Sequence, residues 1–310
     1  MRNLKRALSL ALAAIMLVGM MVVSASAASY NNLTDKDEIV NKDAVSMLVS
    51  LGIIEGKPDG SYGPTENVDR AQMAKMLSVI MNKGVDNSAL YQSVNSGLVD
   101  VNTNWAKGHI NYCYTTGIIA GRGNGKFDPS ATVTALEAAK MLLVAVGYDP
   151  AIEGFEGADW AINVSVRADE QGIFEGFTKD LSAPLNRDDA ALLIYNALDV
   201  EMIQSYTTNN YPIAYSDHRT ILADKYGVIK VQGVVVANEW ASLASDDGDA
   251  ALKEGKTTIY NGEGIFSTTG NTTVSKEDAS LKTQTFNVST PVDMLGKTVN
   301  LYIKKTTILA

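Results

Sequence analysis

Arg70 and Arg187 occupy an unfavourable place for a cation. Each follows a residue suited to helix capping, Asp69 and Asn186, and so falls in the first turn of a predicted helix. The helix macrodipole favours negative charge there. An arginine in that turn points to an anion that it answers, and its planar fork of donors suits a carboxylate. The competing reading is a surface arginine paired with Asp69 or Asp188, which contributes little. Trp105 and Trp160 stand at predicted helix starts. Their faces suit sugar rings, and they suit simple packing equally well.

Other chemistries find little support. Two histidines and one cysteine, far apart in the chain, leave no zinc-site spacing. His109, one turn after Trp105, is expected to pack or to face solvent rather than bind metal. Cys113 cannot form an internal disulfide and, between Tyr112 and Tyr114, reads as buried packing. Asp100-x-Asn102-x-Asn104 resembles the start of a calcium loop, but Trp105 takes the required glycine position and Asn111 the required glutamate. The glycine-rich run Gly121 to Lys126 lacks phosphate-loop spacing. Ser216-Asp217-His218 are sequence neighbours, which is not how a catalytic triad is assembled. No cofactor and no enzymatic activity are expected.

The elements that must position the arginines come from an internal repeat. Residues 52–77, GIIEGKPDGSYGPTENVDRAQMAKML, align without a gap on residues 117–142, GIIAGRGNGKFDPSATVTALEAAKML. A third segment begins at Gly172 and has a shorter middle loop. Trp105 and Trp160 each lie twelve residues before their Gly-Ile turn, and Val40 holds that place in the first segment. Each unit reads helix, Gly-Ile turn, glycine loop, helix. Asp69, Thr134 and Asn186 are equivalent N-caps, with Gln72, Glu137 and Asp189 three residues on. Thr134-Glu137 is a full capping box and Asp69-Gln72 is close to one. Apolar stripes follow: Met73, Met76, Leu77 and Ile80; Ala138, Met141, Leu142 and Ala145; Ala190, Leu193, Ile194 and Ala197. One unit is too small to bury its stripe alone, so three are expected to share one core.

Arg2, Lys5 and Arg6, the apolar run Leu8 to Val23, and Ala25-Ser26-Ala27 follow the order of a secretory leader, with cleavage expected after Ala27. The run is too short for a bilayer span, so no membrane insertion is expected after cleavage. Loss of the three basic residues takes the formal charge from −9 to −12. Such a chain has no general attraction for nucleic acid or anionic lipid, yet can hold an anion where basic residues converge.

These segments resemble the S-layer homology family. The resemblance rests on Asp69-Arg70-Ala71-Gln72; on Val99-Asp100-Val101, Trp105 and Thr134-Ala135-Leu136-Glu137; and on Trp160 and Asn186-Arg187-Asp188-Asp189. It covers roughly residues 29–203. It implies non-covalent attachment to secondary cell-wall polysaccharide, often carrying pyruvate ketals on an amino sugar. The shared core and the rise of threonine, valine and asparagine from about Tyr206 lead to an expected mainly α N-terminal domain, three repeats in a pseudo-threefold helical bundle, followed by a small β-rich domain. Carried over by position, the ligand-binding residues are Arg70 and Arg187, Trp105 and Trp160, and the loops Asp59-Gly60 and Asn124-Gly125, meeting in grooves between repeats. Ala135 replaces an expected arginine, Val40 an expected tryptophan, and the third segment lacks the aromatic-x-Pro loop. One or two working grooves are therefore expected rather than three.

The resulting division is a leader over 1–27, repeats over 28–86, 87–150 and 151–205, and a β-rich domain over 206–310, with truncation of the last left open. Val228 to Ala237, Thr257 to Tyr260, Thr283 to Ser289 and Thr298 to Ile303 read as strands, and Asp246-Asp247-Gly248-Asp249 as a solvated loop. The leading function is anchoring of a secreted protein at the cell wall or surface layer of a bacterium, with self-assembly as a further partner interaction. The alternatives are a surface-anchored glycan-active enzyme, which would need paired carboxylates in a cleft, and repeats that serve only protein–protein assembly.

Overall fold

In the computed structural model, which describes residues 30–243, 251–262 and 282–304, three helices begin where their capping side chains dictate. They are α2 (Arg70–Met81), α4 (Ala135–Ala145) and α6 (Arg187–Ala197). Asp69 and Thr134 close full capping boxes with Gln72 and Glu137, and the Asn186 side chain accepts from the Asp189 amide. Each cap satisfies amides that the first turn leaves unpaired. The predicted stripes are all buried, from Met73 in the first helix to Ala197 in the third. The leader and the Asp246–Asp249 loop lie outside the described residues.

The residues just before these helices form a closed ring. The Val68 amide donates to the Leu185 carbonyl at 2.8 Å, Leu185 to Val133 at 2.8 Å, and Val133 back to Val68 at 2.9 Å. Three sequence-distant segments thus satisfy one another's backbones at a single point. Each capped helix packs against a partner from the next segment: α2 against α3 (Lys107–Thr115), α4 against α5 (Trp160–Glu170), and α6 against α1 (Lys42–Ser50).

Below the ring, the chain continues through a hairpin of β1 (Ile203–Tyr206) and β2 (Pro212–Ala214) and a short helix α7 (Ile221–Tyr226). This is a correction to the boundary expected between residues 205 and 206. The first compact unit runs to Tyr226 and the second begins at Gly227. The reason is partly buried polar contact. The Tyr206 hydroxyl donates to Glu153 at 2.9 Å, and Glu153 also takes the Arg167 guanidinium of α5. The Tyr226 hydroxyl donates to the Ile80 carbonyl at 3.3 Å.

The second unit holds an antiparallel sheet in the order β5-β4-β3-β6, with β3 (Val228–Asn238), β4 (Thr257–Tyr260), β5 (Thr283–Phe286) and β6 (Thr298–Lys304). All four strands were legible from composition. Val235, Ile259 and Phe286 form the core, closed by Met294, Leu295, Val299 and Leu301.

Candidate functional site

Both arginines lie where one segment meets the next. Arg70 reaches from the start of α2 to the glycine loop of the second segment. Its Nε donates to the Phe127 carbonyl and its Nη2 to the Ala120 carbonyl, each at 2.8 Å. Its guanidinium lies 4.3 Å from the Phe127 ring centroid. Arg187 repeats the arrangement on the loop of the first segment: Nε to the Tyr62 carbonyl at 2.8 Å, Nη2 to the Glu55 carbonyl at 3.4 Å, and the Tyr62 ring at 4.8 Å. The Tyr62 hydroxyl returns a hydrogen bond to the Arg187 carbonyl.

The competing pairing with Asp69 or Asp188 does not occur. Asp69 caps its own helix, and the Asp188 carboxylate accepts from Asn41. Among the described residues, the arginine ion pairs involve Arg122, Arg167 and Arg219. Arg70 is only 4% exposed. Burial, and then the nearby Arg122 charge, lower its pKa to about 10 against the pull of Glu137, Asp128 and Asp100. Carbonyl dipoles and a ring face therefore orient this cation, while no carboxylate neutralises it in a direct pair.

The loops that receive the arginines are held by one aspartate each. Asp100 accepts the Phe127 and Asp128 amides at 2.9 and 2.8 Å, and Asp35 accepts those of Tyr62 and Gly63, both at 2.7 Å. Burial would raise the pKa of each carboxyl, but the amide bonds outweigh it and leave both lowered. A carboxyl with a depressed folded pKa stabilises the fold above its unfolded value of about 3.9. That contribution is lost as pH falls through the folded value. Asp100→Asn keeps one acceptor oxygen and is expected to cost about 1–2 kcal/mol at pH 7. The gap from the parent protein should narrow at pH 3, as thermal unfolding at the two pH values will read.

Asp35 was not singled out by sequence reading. The signal was present: the register that lays Tyr62 on Phe127 also lays Asp35 on Asp100. The expected loop residues have local work. The Asp59 carboxylate accepts the Ser61 amide and hydroxyl at 2.9 and 2.7 Å. Gly60, at φ +84°, receives the Thr34 amide on its carbonyl. Asn124, at φ +50°, and Gly125 form the tip of the second loop, and the Gly125 carbonyl accepts from Val99.

Trp105 is 59% exposed, so packing does not account for it. Its ring meets His109 edge-on at 6.4 Å, and His109 is buried with Nδ1 2.6 Å from the Ser78 hydroxyl. Burial lowers the His109 pKa, with Asp86 opposing and Lys75 assisting. Trp160 is half-buried at the first position of α5, with the Lys140 ammonium 5.8 Å from its ring centroid. Cys113 is buried against the Ala74 carbonyl, and burial pushes its thiol pKa up.

The sequence model of the S-layer homology domain matches this chain at residues 32–74 and 99–139. Its relatives include a cell surface protein of Thermoanaerobacter kivui, 28% identical over 270 residues, covering 86% of this chain and 32% of that protein. The middle cell wall protein of Brevibacillus brevis is 26% identical over 300 residues, covering 95% of this chain and 27% of that protein. An S-layer protein of Bacillus licheniformis is 33% identical over 113 residues, covering 36% of this chain and 12% of that protein. The chain spans about a third or less of the length of these relatives. Domain and relatives together mark it as a secreted, cell-wall-associated protein.

Proposed function

We propose that this protein anchors itself non-covalently to an acidic secondary cell-wall polysaccharide, one carrying pyruvate ketals, through grooves between three S-layer homology repeats in a pseudo-threefold bundle. The observation that carries the reading is the position of Arg70 and Arg187. Both bridge neighbouring segments, both are oriented by loop carbonyls, and among the described residues neither is paired with a carboxylate. The closed ring of Val68, Leu185 and Val133 supports the threefold arrangement and the third repeat. The exposed Trp105 supports sugar stacking.

The remainder of the chain is read as structural rather than catalytic, and self-assembly at the cell surface as its further role. The test is sedimentation with purified cell-wall sacculi. Binding should disappear when the polysaccharide is stripped and fall sharply when only the pyruvate is removed. Undiminished binding to stripped walls would overturn the reading, and release of new reducing ends from wall glycan would overturn the non-catalytic part of it.

A further inference from the structure

The joint between α2 and α3 holds a buried polar chain that its sister joints do not repeat. The Ser78 hydroxyl of α2 lies 2.6 Å from His109 Nδ1 of α3. His109 Nε2 lies 3.6 Å from the carboxylate of Asp86, which itself accepts the Ser88 amide. Ser78 and His109 are each only 4% exposed. The repeat supplies an internal control. In the joint of α4 with α5, the residues aligned with Ser78 and His109 are Leu143 and Val164, both fully buried. In the joint of α6 with α1 they are Tyr195 and Ala44. Leucine and valine fill the same place elsewhere in the molecule, so packing alone does not call for a serine and a histidine. Buried polar groups are the less stable filling unless their hydrogen bonds are all made.

This chain has two proton states. The single hydroxyl hydrogen of Ser78 has two acceptors within reach, His109 Nδ1 and the Lys75 carbonyl at 2.9 Å. With the ring neutral, the hydroxyl donates to Nδ1, and the Nε2 hydrogen faces Asp86. When a proton is added at Nδ1, the ring becomes the donor and the hydroxyl turns to the Lys75 carbonyl. The bond between Ser78 and His109 is kept and its direction reversed. The ring then carries a charge with no carboxylate at hydrogen-bond distance. Lys75 of α2 repels that charge, and Asp86, 54% exposed, attracts it. From α3 itself the ring meets Trp105, and Cys113, one turn on, stays an uncharged thiol because burial pushes its pKa up. Burial outweighs the pull of Asp86, and with Lys75 assisting it holds the His109 pKa below its ordinary value.

We propose that Ser78, His109 and Asp86 form a proton-responsive joint, which ties α2 to α3 when the ring is neutral and weakens that tie when the ring takes up a proton in mild acid. The device is independent of the wall ligand. Its sign follows from linkage. A histidine whose pKa is depressed by folding stabilises the fold fully above its unfolded value of about 6.5. That stability is lost as pH falls below this value and through the folded one. Asp35 and Asp100 lose their contributions only nearer the carboxylate range, about 3.9 and below, so the interval from pH 7 to pH 5 belongs to the histidine. The comparison helix is α5 rather than α1, because α1 is capped by Asp188, whose own pKa is raised by burial.

The test follows the histidine rings by NMR, and backbone amide exchange in α3 and α5, in the full chain. The chain has two histidines, and the other, His218, is 73% exposed beside Glu201, so the two titrations are separable. His109 should titrate below about 6.5. Asp86→Asn removes the favourable charge and should move its midpoint further down. Lys75→Met removes the opposing charge and should move it up. Between pH 7 and pH 5, after correction for intrinsic exchange, amide protection in α3 should fall about tenfold against that in α5. His109→Val copies the α5 residue, leaves Ser78 its bond to the Lys75 carbonyl, and should abolish this fall. The proposal is overturned if His109 titrates at or above its ordinary value, if the two charge variants leave its midpoint in place, or if α3 loosens in acid as much in His109→Val as in the parent. Should His109→Val fail to fold, the opposite shifts expected of Asp86→Asn and Lys75→Met still decide the matter, since both side chains are partly exposed.

Discussion

Arg70→Ala should lose both wall attachment and stability, and Arg70→Lys should separate the two losses. Truncation leaves the Phe127 and Ala120 carbonyls without their donor and uncovers the Phe127 ring. Two orphaned acceptors and a lost ring contact amount to about 2–4 kcal/mol. For a unit of this size that lowers the melting temperature by about 5–15 °C. Binding of a ketal-bearing glycoside in that groove should weaken by about thirtyfold or more, since a charge-assisted bidentate contact disappears. Lysine keeps the cation but lacks the planar fork that meets the Phe127 and Ala120 carbonyls in fixed geometry and lies against the Phe127 ring. It should therefore be nearly as destabilised as alanine, yet retain part of the binding. Thermal unfolding and glycoside titration of the three proteins side by side provide the check. Equal binding by the alanine and parent proteins would remove Arg70 from the site.

Gly108→Ala is the second change with a large expected effect, and here two known effects oppose each other. Gly108 lies inside α3, where alanine improves helix propensity by about 1 kcal/mol. A Cβ at this position would lie 2.1 Å from the Ser88 carbonyl oxygen and 2.7 Å from its carbon. Both are backbone atoms and cannot rotate away, so α3 and the turn Ser88–Tyr91 must part. That movement breaks the polar contacts beneath. Asn111, fully buried, donates to the Tyr91 and Val94 carbonyls at 3.0 and 2.9 Å and accepts from Ser96 at 2.7 Å. Overpacking plus damaged buried hydrogen bonds outweighs the propensity gain, for a net loss of about 3 kcal/mol or more. Gly117→Ala is the comparison. Its φ is +79° but nothing crowds it, so the cost should stay near 1 kcal/mol. If Gly108→Ala proves no worse than Gly117→Ala in thermal unfolding, the close approach of α3 to this turn is wrong.

Much of the fold was written in side chains with local consequences. Asp69, Thr134 and Asn186 announce helix starts because a cap acts within three residues. The buried stripes announce a helix face because the period is short. The joint between segments was not legible, because the acceptors for Arg70 and Arg187 are backbone carbonyls, which every residue carries. The pairing of these arginines with nearby aspartates was the natural sequence-based alternative, and it fails because Asp69 and Asp188 are held elsewhere. The hairpin was missed for a different reason. Strands of three and four residues, with intermediate and exposed positions only, offer no alternation to detect. Their attachment depends on Glu153, Arg167 and Tyr206, which are far apart in sequence.

The backbone ring of Val68, Leu185 and Val133 has a mechanical consequence. A surface anchor is pulled through the chain that leaves it, here beyond Tyr226. That load first meets a tyrosine tied to the Ile80 carbonyl of the opening segment, not the free flank of the last one. Because first, second and third segments are each tied to both others, force cannot peel them away one at a time. The joints must shear together, so detachment under tension is expected as a single abrupt event.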